Sequence, residues 1–124
     1  MAGAMLLDLS KLEQALAEFS RERDWDQFHT PKNLVMALTG EVGELNEIFQ
    51  WLTDAEAREA GRSTATAVHV GEELADVLLY LVRLSSVLGV DLNAAVVDKL
   101  AKNALKYPAD KVRGSSRKAD PFAG

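Results

Sequence analysis

The sequence predicts an all-α protein, a four-helix bundle assembled into an oligomer. Three observations carry that expectation. Apolar residues recur at three- and four-residue spacing along most of the chain, the period of an amphipathic helix. No segment reads as a convincing strand. Helix-starting and helix-stopping residues fall where the periodic segments begin and end.

The first helix is expected over about residues 9–23, with Leu9, Leu12, Leu16 and Phe19 as its apolar stripe. Ser10 and Glu13 stand at capping-box spacing at its start. The short linker "DWDQFH" follows. Thr30-Pro31 then reads as an N-cap with proline at the first helical position, opening a second helix that runs to about Leu52. Residues 53–66, "TDAEAREAGRSTAT", are polar and contain Gly61, which suggests a connecting loop with some helical character. The third helix covers about residues 67–88 and is closed by Gly89. Asp91 caps a fourth, over about residues 92–106, which stops before Pro108. A basic, irregular tail is expected over 108–124, so that one domain spans 1–124 with its core at about 9–107.

In the third helix, "LADVLLYLVRLSSVLG" is apolar on nearly all sides. Such a helix needs cover all round, which four helices of one chain do not readily provide. An obligate oligomer is therefore expected.

At 124 residues and 48% hydrophobic, with three prolines and eight glycines, the chain can bury one core and is not broadly disordered. A net charge of −5 argues against a general nucleic-acid binder. With no cysteine there are no disulfides and no thiolate metal sites. "MAGAMLLDLS" lacks a signal-peptide pattern, and no window of roughly 18 uncharged apolar residues exists to span a membrane. A cytoplasmic protein is expected.

The chemistry-bearing stretch is "GEVGELNEIFQW", residues 40–51. At about 100° per residue, Leu34, Leu38, Leu45, Ile48 and Leu52 share one stripe of the second helix, and Glu41 lies in its middle. Glu44 sits on the flank and Glu47 on a more polar face. Gly40 and Gly43 each cost about 0.5–1 kcal/mol relative to alanine, and read as room for a neighbouring helix or a ligand. On the third helix, Val70, Leu74, Leu78, Leu81 and Ser85 form one stripe; Glu73, Val77, Tyr80 and Leu84 line the neighbouring face, with Asp76 close by. If the two helices pack side by side, Glu41, Glu44, Glu73 and Asp76 converge. Four carboxylates together repel unless cations neutralise them, and an all-oxygen set suits Mg²⁺, with Mn²⁺ as a substitute. A di-iron bundle would want Glu-x-x-His pairs, which His29 and His69 do not supply. His69 reads as a surface or interface residue.

E-x-x-E followed on the next helix by E-x-x-D resembles the all-α nucleotide pyrophosphohydrolases of the MazG-like superfamily. Together with "RERDWDQFHTPKNL", "EELADVLLYLV" and "KVRGSSRK", it is most similar to the dCTP pyrophosphatase subgroup, over residues 9–118. The resemblance implies hydrolysis of dCTP, or of another deoxynucleoside triphosphate, to the monophosphate and pyrophosphate. It also implies Mg²⁺ on Glu41, Glu44, Glu73 and Asp76, a base pocket lined by Trp25, His29 and Trp51, and Tyr80 against the nucleoside. Lys99, Asn103, Tyr107, Arg113 and Ser115 resemble the residues that hold phosphates, across a subunit boundary in a dimer or a dimer-of-dimers tetramer. Leu16 stands where the animal enzyme has a histidine, which bears on base preference.

Outside the resemblance, Trp25 and Phe28 read equally as anchors of the linker, Trp51 as core and Tyr80 as a bundle residue. Only the acids carry a chemical reading by themselves. The alternatives are a non-catalytic helical oligomerisation or regulatory module, and a related pyrophosphohydrolase preferring dUTP or a damaged nucleotide.

Overall fold

The computed structural model describes residues 4–116. Among them are α1 (Ser10–Glu22), a 3₁₀ turn (Asp26–Phe28), α2 (Pro31–Phe49), α3 (Asp54–Arg58), α4 (Ala67–Leu88), α5 (Leu92–Lys106) and α6 (Ala109–Val112), and no strand. Two compact units are present. One is Leu9–Val90, carrying α1 to α4; the other, among the described residues, comprises 4–8 and 91–116.

The ends of the long helices follow from local chemistry. Thr30 is extended and accepts from the Asn33 amide, with Pro31 at the first helical position, so α2 starts where the sequence placed it. Gly89 adopts a left-handed conformation, φ 68°, and turns the chain out of α4. Asp91 accepts from the Ala94 amide and starts α5. In the second unit Asn93 ties the N-terminal segment down: its Oδ1 accepts from the Leu6 and Leu7 amides at 2.8 and 2.9 Å.

Two expectations need correction. The S-x-x-E at Ser10 is not a capping box. Leu9 is the N-cap, with φ −108° and ψ 8°, and its apolar side chain makes no cap hydrogen bond. A capping box sits instead in the connecting segment, whose expected helical character is borne out by α3. Thr53 is extended, its hydroxyl accepts from the Glu56 amide, and the Glu56 carboxylate accepts from the Thr53 amide, starting α3. That segment closes with Thr66 Oγ1 donating to the Ala60 carbonyl at 2.6 Å, over a buried Ala60. The tail is not wholly irregular, since α6 forms within it; Arg117 and Lys118 of the basic motif lie outside the described residues.

Within the first unit α2 packs along α4, and α1 also contacts α4. Leu34 and Val82 are the largest fully buried apolar side chains of this core, at 2% and 0% exposure. The α2 stripe is as wound from the sequence, with Leu34 buried and Leu38, Glu41, Leu45, Ile48 and Leu52 all at least partly covered. In α4 the inner face is Val70, Glu73, Val77, Tyr80, Val82 and Ser85. Leu74, Leu78 and Leu81, of the stripe that also carries Val70 and Ser85, are exposed by 54, 44 and 39% in the single chain. Nothing lies within 4 Å of a Cβ built at Gly40 or Gly43, so neither glycine admits a close approach from the described chain.

Candidate active site

Packing of α2 on α4 sets Glu41 against Glu73 and Asp76. One carboxylate oxygen from each lies within 4.8 Å of the others, and this trio can hold a metal ion. Glu73 is buried and the other two are half-buried. Oε2 of Glu41 and Oε2 of Glu73 are buried without any hydrogen-bond partner. A buried, unpartnered carboxylate oxygen carries a desolvation cost that a cation would offset. Burial first, then the hydrogen bond and negative charge of Glu44 and the charge of Asp76, together raise the Glu41 carboxyl to about 7. Glu73 is raised too, by burial first and then by Glu44. Three acids held together against their own charge, with two oxygens unanswered, fit a hard divalent cation.

Glu44, read as the fourth ligand, is exposed and stands outside the trio, acting on Glu41 and Glu73 as a neighbour. Glu47 is exposed. His69 is a surface residue whose Nε2 lies 3.4 Å from Glu73 Oε1.

Asp76 also borders a cavity of about 250 Å³, lined by Leu16, Phe19, Trp25, His29, Leu79, Tyr80 and Arg83 as well. Three of the expected pocket residues, Trp25, His29 and Tyr80, are therefore brought together. Asp24, left-handed at φ 54°, makes this possible. It ends α1 in a Schellman turn, with the Trp25 amide donating to the Ser20 carbonyl at 2.9 Å and the Asp24 amide to Arg21. Trp25 then meets Phe19 edge-on, ring centroids 5.8 Å apart. Trp51 is not part of the cavity lining and is 86% exposed.

The sequence reading missed a polar network on the cavity wall. Arg83 Nε donates to His29 Nδ1 at 3.0 Å, and Arg83 Nη2 donates to Asp26 Oδ1 at 3.0 Å and to Ser20 Oγ at 3.4 Å. The buried Ser20 hydroxyl donates to Asp26 Oδ1. The signal was available: Arg83 is a lone cation in an apolar run, three residues after Tyr80 and seven after Asp76, hence on their face.

Lys99 and Asn103 lie on α5, Tyr107 at its C-cap, Arg113 after α6 and Ser115 beyond it, all in the second unit.

The MazG-like family model matches residues 37–121, and the chain belongs to that family. It is 51% identical over 110 residues to dCTP pyrophosphatase 1 of Homo sapiens and 47% identical over 110 residues to that of Rattus norvegicus, in each case 89% of this chain. The chain spans 65% of the length of these relatives. Among solved structures it is similar to a pyrophosphatase from Archaeoglobus fulgidus, with a TM-score of 0.75 and 38% identity, covering 87% of this chain and 99% of that one.

Proposed function

We propose that the chain is a Mg²⁺-dependent nucleoside triphosphate pyrophosphohydrolase, acting on dCTP or a related deoxynucleoside triphosphate to give the monophosphate and pyrophosphate. The observation that carries this is the pair of buried, unpartnered oxygens on Glu41 and Glu73 beside Asp76. The printed activities of the relatives supply the substrate class.

Glu41, Glu73 and Asp76 would hold the ion, with Mn²⁺ a substitute. When bound, it supplies Lewis acidity to the phosphates and to the attacking water. Glu44, exposed beside the trio, is the residue proposed to accept the water's proton. Asp76 borders both the acid cluster and the cavity, which supports phosphates at the acids and the nucleoside among Trp25, His29 and Tyr80. Leu16, an apolar residue in that lining, bears on the choice of base. Trp51, with its exposed ring, is proposed as a further base contact, and Lys99, Asn103, Tyr107, Arg113 and Ser115 as phosphate contacts.

The same proposal takes 1–124 as one MazG-like domain of four-helix-bundle type in the cytoplasm, assembled as a dimer or tetramer. Exposed Leu74, Leu78 and Leu81 on α4 support a partner subunit there. Among the described residues no helix is long and apolar enough to cross a membrane.

The test is a panel of dNTPs incubated with purified protein and Mg²⁺, scoring monophosphate and pyrophosphate. Hydrolysis abolished by a chelator is expected. No cleavage of any dNTP, with Mg²⁺ or Mn²⁺, sinks the reading; cleavage of dUTP or a modified nucleotide ahead of dCTP reassigns the base.

A further inference from the structure

Arg83 is not accounted for by the chemistry above. Its side chain is only 12% exposed, and it lines the cavity. A guanidinium that far from water needs acceptors, and it has three: Asp26 Oδ1, Ser20 Oγ and His29 Nδ1. The third contact is chemically restrictive. Arginine carries only donors and stays charged. A ring nitrogen 3.0 Å from Arg83 Nε must therefore present its lone pair. Ser20 Oγ, 3.3 Å from the same nitrogen, gives its single hydrogen to Asp26. Nδ1 of His29 is thus unprotonated, and the imidazole proton is on Nε2.

We propose that Arg83 is a positioning residue for base recognition: by donating to His29 Nδ1 it locks the imidazole as the neutral Nε2–H tautomer, so that His29 can offer the cavity only a hydrogen-bond donor. The proposal rests on the nucleotide reading of the cavity. With Nδ1 engaged, Nε2–H is the one polar group His29 has left, and it belongs to a wall otherwise built largely of Leu16, Phe19, Trp25 and Leu79. A donor fixed in such a wall selects a base edge that presents an acceptor, such as a pyrimidine ring carbonyl or unprotonated ring nitrogen. An edge presenting only N–H would leave two donors opposed.

Burial and the Arg83 charge act in the same direction, and Asp26 opposes them. Asp26 on the 3₁₀ turn would favour an imidazolium, but its Oδ1 is taken by Arg83 and Ser20. From α4, Arg83 is in contact, and Asp76 and Tyr80 border the same cavity; from α1 the neighbours are the uncharged Leu16, Phe19 and Ser20. Burial first, and then the Arg83 charge, lower the His29 pKa against the opposing pull of Asp26. Both favour the neutral ring.

The experiment is ¹⁵N NMR of the imidazole nitrogens in the unliganded protein at pH 7, for wild type and Arg83→Met, alongside steady-state kinetics on the preferred dNTP. Wild type is expected to show a protonated Nε2 and an unprotonated Nδ1. In Arg83→Met the two tautomers mix; KM rises about tenfold while kcat changes less than about twofold, as for loss of a binding contact. A protonated Nδ1 in wild type overturns the proposal. So does an Arg83→Met protein with an unchanged imidazole signature, or with equal losses in kcat and KM. Should the methionine variant not fold, Arg83→Lys keeps a donor for Nδ1 and a cation for Asp26, and is expected to retain the wild-type signature; its loss there overturns the assignment. If the wild type cleaves no dNTP, the function fails and the base-reading role with it, whereas the tautomer is read without substrate.

Discussion

Replacing Glu41 by glutamine removes a charge while keeping shape and volume, which isolates the electrostatic strain in the acid cluster. Glu41 binds its proton more tightly folded than unfolded, with the pKa raised from 4.5 to about 7 by burial and by Glu44. The stability this gives is complete below pH 4.5 and is lost as pH rises through 7. The full difference corresponds to about 3 kcal/mol at roughly 1.4 kcal/mol per pH unit. Water and salt reach this half-buried group, which reduces it to about 1–2 kcal/mol. Glutamine resembles the protonated acid at every pH. At pH 8 in a chelator, Glu41→Gln should therefore raise the melting temperature, by roughly 3–10 °C for a chain of this length. At pH 5 the two proteins should melt within a degree or two of each other. Mg²⁺ at about a hundred times its dissociation constant should then add about 2.7 kcal/mol to the wild type and far less to the variant. Calorimetry across pH, with and without Mg²⁺, reads all of this, and the variant should not turn over substrate. A variant less stable than wild type at pH 8 in chelator, or one equally stabilised by Mg²⁺, would refute the argument that Glu41 is a strained ligand.

Two further substitutions test the frame that holds the site. Leu34→Ala, at a 2% exposed position of the α2–α4 core, should cost about 2–4 kcal/mol in denaturant unfolding; a loss under about 1 kcal/mol would show that this end of the core repacks freely. Gly43→Ala should stabilise by about 0.5–1 kcal/mol, because a Cβ there meets nothing within 4 Å; destabilisation would reveal a subunit or ligand covering that helix face.

The stripe of α2 was legible because its apolar residues keep strict helical spacing, so an acid among them stood out. Orientation of α4 was not. A helix apolar on most sides has little amphipathic signal, and the faces carrying Leu74 and Val77 look alike in one dimension. In the single chain Glu73 and Val77 face inward and Leu74 outward. The capping box shows a different limit. S-x-x-E at Ser10 and T-x-x-E at Thr53 are equivalent as patterns, but the residue that caps must be extended. Thr53 is, at φ −70° and ψ 163°; at the start of α1 the cap position falls on Leu9, near ψ 8°. Helical spacing placed Glu41, Glu73 and Asp76 near one another, and the structure brings these three carboxylates together with Glu44 beside them. The Arg83 network depends on a left-handed Asp24 returning the chain past Ser20, which spacing along a helix cannot encode.

The segment joining the two acid-bearing helices has a consequence for how tightly a cation could be held. Between Phe49 and Ala67 the chain is occupied by α3 with its capping box and by the Thr66–Ala60 hydrogen bond, with Ala60 buried at 2%. Fixing a backbone costs about 1–2 kcal/mol per residue in conformational entropy. Here that ordering accompanies folding and does not accompany ion capture. The carboxylates of Glu41 and Glu73 are already neighbours, so affinity for an ion would be set by charge and desolvation, undiminished by a linker that must first be stilled.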